Sequence, residues 1–165
     1  MGEMARRIVK LDKGELLKML NAALAEEWLA YYQYWIGAKI VVGAMRPHIQ
    51  EEFEKHAKEE LKHADWLATR IVQLDGTPVL SPADWDKVVK CKYETPDDSY
   101  VMTILKQNLD SERCAIGRYQ SICDACFGKD YETFRICSKI LRDEIDHEQD
   151  MEDYINDISS AMGHF

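Results

Sequence analysis

The stretch EELKHAD, residues 59–65, lies inside a long helical pattern and brings two acids and a histidine within five positions. Acids are common on solvated helix faces. A glutamate followed three residues later by a histidine, however, presents both groups on one face, where they can reach one metal ion. The direction in which Glu60 and His63 point decides between these readings. Phe53, Glu60 and Leu67 recur at heptad spacing, with His56 and His63 in the adjoining row. Glu60 therefore belongs to the apolar stripe that a packed helix buries, and Glu59 falls outside it.

Three other segments give the same result. Leu20, Glu27 and Tyr34 share a row, as do Leu105, Glu112 and Tyr119. Cys137, Glu144, Met151 and Ile158 form a fourth row, flanked by Ile140, His147 and Tyr154. Each segment thus carries one glutamate on its buried stripe, and two of the four read Glu-x-x-His: Glu60 with His63, and Glu144 with His147. The order repeats, with 33 residues between Glu27 and Glu60 and 32 between Glu112 and Glu144. Four buried carboxylates without partners would be prohibitively costly. Two divalent cations cancel their charge. Each would take one histidine, one terminal glutamate and a share of two bridging glutamates. Mixed oxygen and nitrogen donors suit iron, or manganese, better than closed tetrahedral zinc.

The helical segments are expected at residues 13–45, 47–74, 96–128 and 131–160. The Arg46-Pro47 pair separates the first two. Residues 75–78, Asp-Gly-Thr-Pro, close the second. Pro96-Asp97-Asp98-Ser99 supplies caps and an acidic first turn for the third. Residues 75–98 form a long connection that can cross the length of a bundle. Within it, residues 81–90 suggest a short helix with Ser81 as cap and Pro82 at its first position. Two short hairpin links and one long crossover describe an all-α four-helix bundle.

The chain has 165 residues, enough for a single domain (1–165) with a substantial core. Its net charge of −9 disfavours nucleic acid as the main partner. The basic start, Arg6, Arg7, Lys10 and Lys13, allows weak DNA contact at most. Residues 29–45 are apolar, but Gln33 and Lys39 interrupt them, so a buried helix is expected rather than a membrane span. The start lacks an apolar signal core. Five cysteines without such a signal read as thiols of a cytoplasmic protein.

At these residues the chain resembles the ferritin-like superfamily, bacterioferritin in particular. The likeness rests on EWLAYYQYWIGA (27–38), EELKHADWLATRIVQLDGTP (59–78) and ILRDEIDHEQDME (140–152), and spans most of the four segments. It implies a di-iron centre ligated by Glu27, Glu60, His63, Glu112, Glu144 and His147, with Tyr34 near it as hydrogen-bond or electron donor. Two positions depart from bacterioferritin. Leu61 stands where that family has its haem methionine, so no haem is expected. Only 18 residues follow His147, too few for the fifth helix of a 24-subunit shell. Both departures are similar to the Dps-like branch, the thioferritins. That likeness implies a 12-subunit cage that oxidises Fe(II) with hydrogen peroxide or O₂, stores iron and protects against oxidative stress. It also implies a cysteine pair, here Cys91 and Cys114; two unpaired thiols are the alternative. Cys114 lies about 200° around the helix from Glu112, which argues against a ligand role. Cys123 and Cys126 read as core or interface thiols, Cys137 as core, and His48 and His164 as surface residues. A non-storage di-metal enzyme, a manganese-catalase-like or rubrerythrin-like peroxidase, is the competing function.

Overall fold

The computed structural model describes residues 2–162; His164 lies outside them. A short helix α1, Glu3–Arg7, precedes the antiparallel pair α2, Lys13–Ile40, and α3, Arg46–Gln73. A crossover follows, holding a 3₁₀ turn, Pro82–Asp84, and one helical turn α4, Trp85–Val88. The second pair is α5, Val101–Cys126, and α6, Tyr131–Met162. The four-helix bundle and the short element in its crossover are as expected. Among the described residues the only β pairing is an isolated bridge, Val42 to Tyr100.

Several element ends differ from the sequence reading. α2 begins with Asp12, whose side chain accepts the Glu15 amide at 2.9 Å. It stops at Ile40, five residues before the expected end. Gly43 has φ 122° and Met45 φ 58°, conformations a helix cannot contain. Val42 instead exchanges backbone hydrogen bonds with the segment entering α5, accepting from Val101 and donating to Ser99, each at 2.9 Å. α5 starts at Val101, so Asp97 and Asp98 lie outside its first turn; Asp98 accepts the Tyr100 amide at 2.7 Å. Ser81 occupies the cap position of the 3₁₀ turn but makes no capping bond.

The crossover is fastened along α2. After Leu74 the chain reverses at Gly76, whose amide donates to the Ile71 carbonyl at 2.9 Å. A Cβ at Gly76 would stand 2.4 Å from Leu17 Cδ2, so a larger residue cannot close this turn without displacing Leu17. Asn21 accepts the Val79 amide at 2.6 Å. Trp28 stacks on Trp85 with ring centres 6.0 Å apart. Glu26 accepts the amides of Lys90 and Cys91 at 2.7 and 3.1 Å. Cys91 is disulfide-bonded to Cys114 on α5. The crossover is therefore tied to both helices it passes.

Two apolar clusters fill the bundle. One contains Leu20, Leu67, Ile71, Tyr119, Ile122 and Ile140, together with the free thiols of Cys123, Cys126 and Cys137. These three cysteines are core residues, and burial pushes the Cys126 thiol up to about 12. The other contains Tyr34, Phe53, Ile104, Leu105, Met151 and Ile158. The inward glutamates and histidines lie on the same helices between these clusters. At the start of the chain, Arg6 and Lys13 approach Asp75 at 2.9 and 4.0 Å, which partly neutralises the basic stretch. No described helix is long and apolar enough to cross a membrane. His48 is exposed.

Candidate metal centre

The heptad positions deliver all six predicted ligands to one place. Glu27 from α2, Glu60 and His63 from α3, Glu112 from α5, and Glu144 and His147 from α6 are each at most 3% exposed. They form two interlocked sets. Glu27, Glu60, His63 and Glu144 bring one ligand atom each within 4.8 Å of one another, as do Glu60, Glu112, Glu144 and His147. Glu60 and Glu144 belong to both sets, so a pair of ions held here would share them, while Glu27 and Glu112 would each face one ion.

Both histidines turn the same nitrogen inward. His63 Nδ1 lies 3.2–3.3 Å from oxygens of Glu27, Glu60 and Glu144. His147 Nδ1 lies 3.1 Å from Glu60, 3.5 Å from Glu144 and 4.0 Å from Glu112. Their outer nitrogens meet carboxylates: His63 Nε2 meets Asp143 at 3.1 Å, and His147 Nε2 meets Glu59 at 3.0 Å. A proton held on Nε2 by such a carboxylate leaves the Nδ1 lone pair free for a cation. The terminal glutamates are held reciprocally as well. Tyr34 on α2 donates to Glu112 on α5, and Tyr119 on α5 donates to Glu27 on α2.

Without a cation the cluster is poorly satisfied. Glu27 Oε2, Glu60 Oε1, Glu144 Oε1 and His147 Nδ1 are buried and find no hydrogen-bond partner. Such atoms are rare in proteins, and here they converge. Burial, with Glu144 close by, pushes the Glu27 and Glu112 carboxyls well up. Burial pushes Glu60 up as well, but the imidazoles of His147 and His63 beside it outweigh burial and hold that carboxyl low. Burial disfavours a charged imidazole, yet the surrounding glutamates overcome it and raise both histidines. The metal-free cluster thus keeps protons on the terminal glutamates and the histidines, which divalent cations displace on binding. Burial, followed by the nearby glutamates, also raises Tyr34 and Tyr119, so both remain neutral donors. The residues present fit a pair of divalent ions.

A cavity of about 20 Å³ adjoins the cluster, bounded by Glu27, Glu60, Glu112 and Glu144 and opening toward Cys91, Lys92 and Tyr93. Its volume is that of about one water molecule.

The model of the ferritin-like domain matches residues 17–161. The chain belongs to the ferritin-like family. It is 34% identical to the DNA protection during starvation protein of Pyrococcus furiosus, over the whole chain and 90% of that protein. It is 28% identical to a bacterial ferritin of Paramagnetospirillum magnetotacticum, over 82% of this chain and 79% of the relative. Among solved structures, the bacterioferritin-related protein of Bacteroides fragilis, a dodecameric thioferritin, is 49% identical, with TM-score 0.97 and 99% of both chains covered. Dps from Thermosynechococcus elongatus shares the fold, with TM-score 0.82, 19% identity and 93% and 95% coverage. The ferritin-like assignment and the likeness to the Dps-like and bacterioferritin-related branches expected from sequence are borne out.

In this ferritin-like bundle several contributors escaped the sequence reading. Glu59 and Asp143, each one residue before a bridging glutamate, orient the histidine of the opposite motif; that shared offset was the available signal. Tyr119 follows Glu112 by seven residues, as Tyr34 follows Glu27. Glu26, which lies beside the stripe that carries Glu27, is buried too, and Arg118 grips it at 2.8 and 2.5 Å. Its acidic neighbour Glu27 had masked it.

Proposed function

We propose that this chain is a ferroxidase and iron-storage protein of the Dps-like, thioferritin type, with Fe(II) as its substrate. The observation that supports this most is the pair of four-ligand sets sharing Glu60 and Glu144. Two Fe(II) ions held by these sets give one electron each to hydrogen peroxide. With two protons taken up, the O–O bond breaks to yield two waters and two Fe(III). O₂ serves as the alternative oxidant. Glu27, Glu60, Glu112 and Glu144 balance the cation charge. Asp143 and Glu59 keep His63 and His147 turned inward, and Tyr34 and Tyr119 steady the terminal carboxylates. The small cavity beside the four glutamates marks where a small oxidant would approach, and it holds little solvent. Cys91 and Cys114 form a redox pair at its mouth. Consuming peroxide without releasing hydroxyl radical protects the cell, and the Fe(III) passes to the interior of a 12-subunit cage. The dodecamer of the B. fragilis relative supports that assembly.

Mixing Fe(II) with peroxide anaerobically tests the reading. The wild-type protein should consume two Fe(II) per peroxide in an assembly of about twelve chains that accumulates many irons per chain. Glu60→Ala should oxidise iron no faster than buffer; wild-type kinetics in that variant would refute the site. A small oligomer that holds two manganese ions per chain and evolves O₂ from peroxide would establish the catalase-like reading instead.

A further inference from the structure

A line of ligands leaves the centre on one side only. His56 lies on α3 one turn before Glu60 and is fully buried. Its ring stacks on His147 with centres 4.0 Å apart. Its Nε2 faces Glu52 Oε1 and Asp150 Oδ2, both at 3.2 Å, while its Nδ1 has no hydrogen-bond partner. One imidazole N–H cannot satisfy two carboxylates fully, but a cation seated among the three groups can.

These residues extend the centre stepwise. Glu52, His56 and Asp150 bring ligand atoms within 4.8 Å of one another, and so do His56, Glu59 and His147. The first group shares His56 with the second. The second shares His147 with the set containing Glu60, Glu112 and Glu144. Among the described residues no comparable line runs from His63. The 84-residue offset that relates Glu60 to Glu144 relates Glu52, His56 and Asp150 to Ile136, Ile140 and Trp66. The same positions in the other half are filled by hydrocarbon and indole. Packing therefore does not require polar groups there, and burying them costs free energy unless they are satisfied.

We propose that Glu52, His56 and Asp150 form a third divalent-cation site. It receives Fe(II) from solvent and hands it inward through His56, Glu59 and His147. One imidazole and two partly exposed carboxylates leave positions for water, which suits loosely held Fe(II) or Mn(II). The two carboxylate charges match one divalent ion. Lys55 now approaches the same acids, with Nζ 2.6 Å from Glu52 and 3.9 Å from Asp150. Its exposed, flexible stem lets an incoming ion displace it. The identity of the cargo rests on the ferroxidase reading; the existence of the site does not.

Crystals of the full chain soaked in Co(II), with anomalous diffraction and bound cobalt measured per chain, provide the test. The wild-type protein should show three ions, one of them between Glu52, His56 and Asp150. Glu52→Gln with Asp150→Asn, at partly exposed positions that spare the core, should remove that ion alone and lower the count from three to two. His56→Ile, which copies Ile140, should do the same. Glu60→Ala should disturb the central pair and keep the third ion. Two central ions with no density at Glu52, His56 and Asp150 would overturn the proposal while leaving the centre intact. Density there without a central pair would support the site and overturn the ferroxidase centre. A third ion that persists in the double variant would also overturn the proposal.

Discussion

Beyond the carboxylates that face its nitrogens, His63 has the indole of Trp66 beside it, 5.6 Å away ring to ring, and Trp66 packs against the apolar cluster that contains Ile140. Around His147 the imidazole of His56 takes that place, backed by Glu52 and Asp150. The two half-sites nevertheless repeat each other closely. Glu27 and Glu112, Tyr34 and Tyr119, Glu59 and Asp143, Glu60 and Glu144, and His63 and His147 correspond, and their hydrogen bonds cross reciprocally between the two hairpins. What repeats is what two equivalent cations would demand of their ligands. What differs lies one layer out, where the halves are free to do different work. The contrast continues toward the crossover. Arg118 grips Glu26, whereas its counterpart Gln33 donates only to Asn108, at 2.9 Å.

That pair of positions gives the largest expected effect. Arg118→Leu leaves the Glu26 carboxylate buried without its counter-ion, held only by the Lys90 and Cys91 amides, and should cost about 3–5 kcal/mol. Gln33→Leu leaves only the neutral Asn108 amide unsatisfied and should cost about 1–3 kcal/mol. Urea unfolding of both variants, without metal, measures the difference. Equal losses would mean that the crossover side carries no special anchor.

The outer carboxylates come next. Glu59→Gln should weaken the ion at the His147 half-site, and Asp143→Asn the ion at the His63 half-site, each by about 10–100-fold. Co(II) titration should then resolve into a tight and a weak step in either variant. Parallel weakening of both steps would break the assignment of one carboxylate to one histidine.

The convergence of the six buried side chains was legible in the sequence because glutamate on an apolar stripe contradicts helix burial, and a pair of cations would resolve the contradiction. Heptad spacing also fixed the four helices. Spacing reports which face is buried, however, not what meets it. Glu26 lies off the apolar stripe, and spacing cannot show that it is buried, because its partner, Arg118, is 92 residues away. Val41, Val42 and Met45 looked helical because they are apolar, yet their segment is held by backbone pairing with the chain entering α5. The role of Glu59 was hidden for the same reason: it is neither fully inward nor outward, and His147 reaches it from another helix.

The tyrosines test the part of the comparison that should be symmetric. Each hydroxyl donates to a buried terminal glutamate, so Tyr34→Phe and Tyr119→Phe should each destabilise the metal-free protein by about 1–3 kcal/mol. Thermal unfolding in the presence of a chelator measures this. A loss in only one variant would show that the reciprocal bonds are not equivalent.

The smallest effect lies at the two helix starts, where the halves differ again. α3 begins without a side-chain cap. α6 begins at Asp130, which accepts the Thr133 amide at 3.1 Å and both bonds of Arg70 Nη2 at 2.9 Å. Burial pushes the Asp130 carboxyl up, but the Thr133 hydroxyl and amide and the Arg70 guanidinium outweigh it and hold it below its ordinary value. A carboxyl held low in the folded state contributes stability that is fully present above the unfolded pKa, near 4. That contribution fades as pH falls through the folded value. The destabilisation caused by Asp130→Asn should therefore be constant from pH 7 to about 5 and shrink below pH 4, by about 1.4 kcal/mol for each unit of displacement. Arg46→Ala, at the uncapped start of α3, should give a small difference that stays flat over the same range. If Asp130→Asn were equally flat, the ionised carboxylate would contribute nothing that a neutral amide does not, and the two helix starts would differ in shape alone.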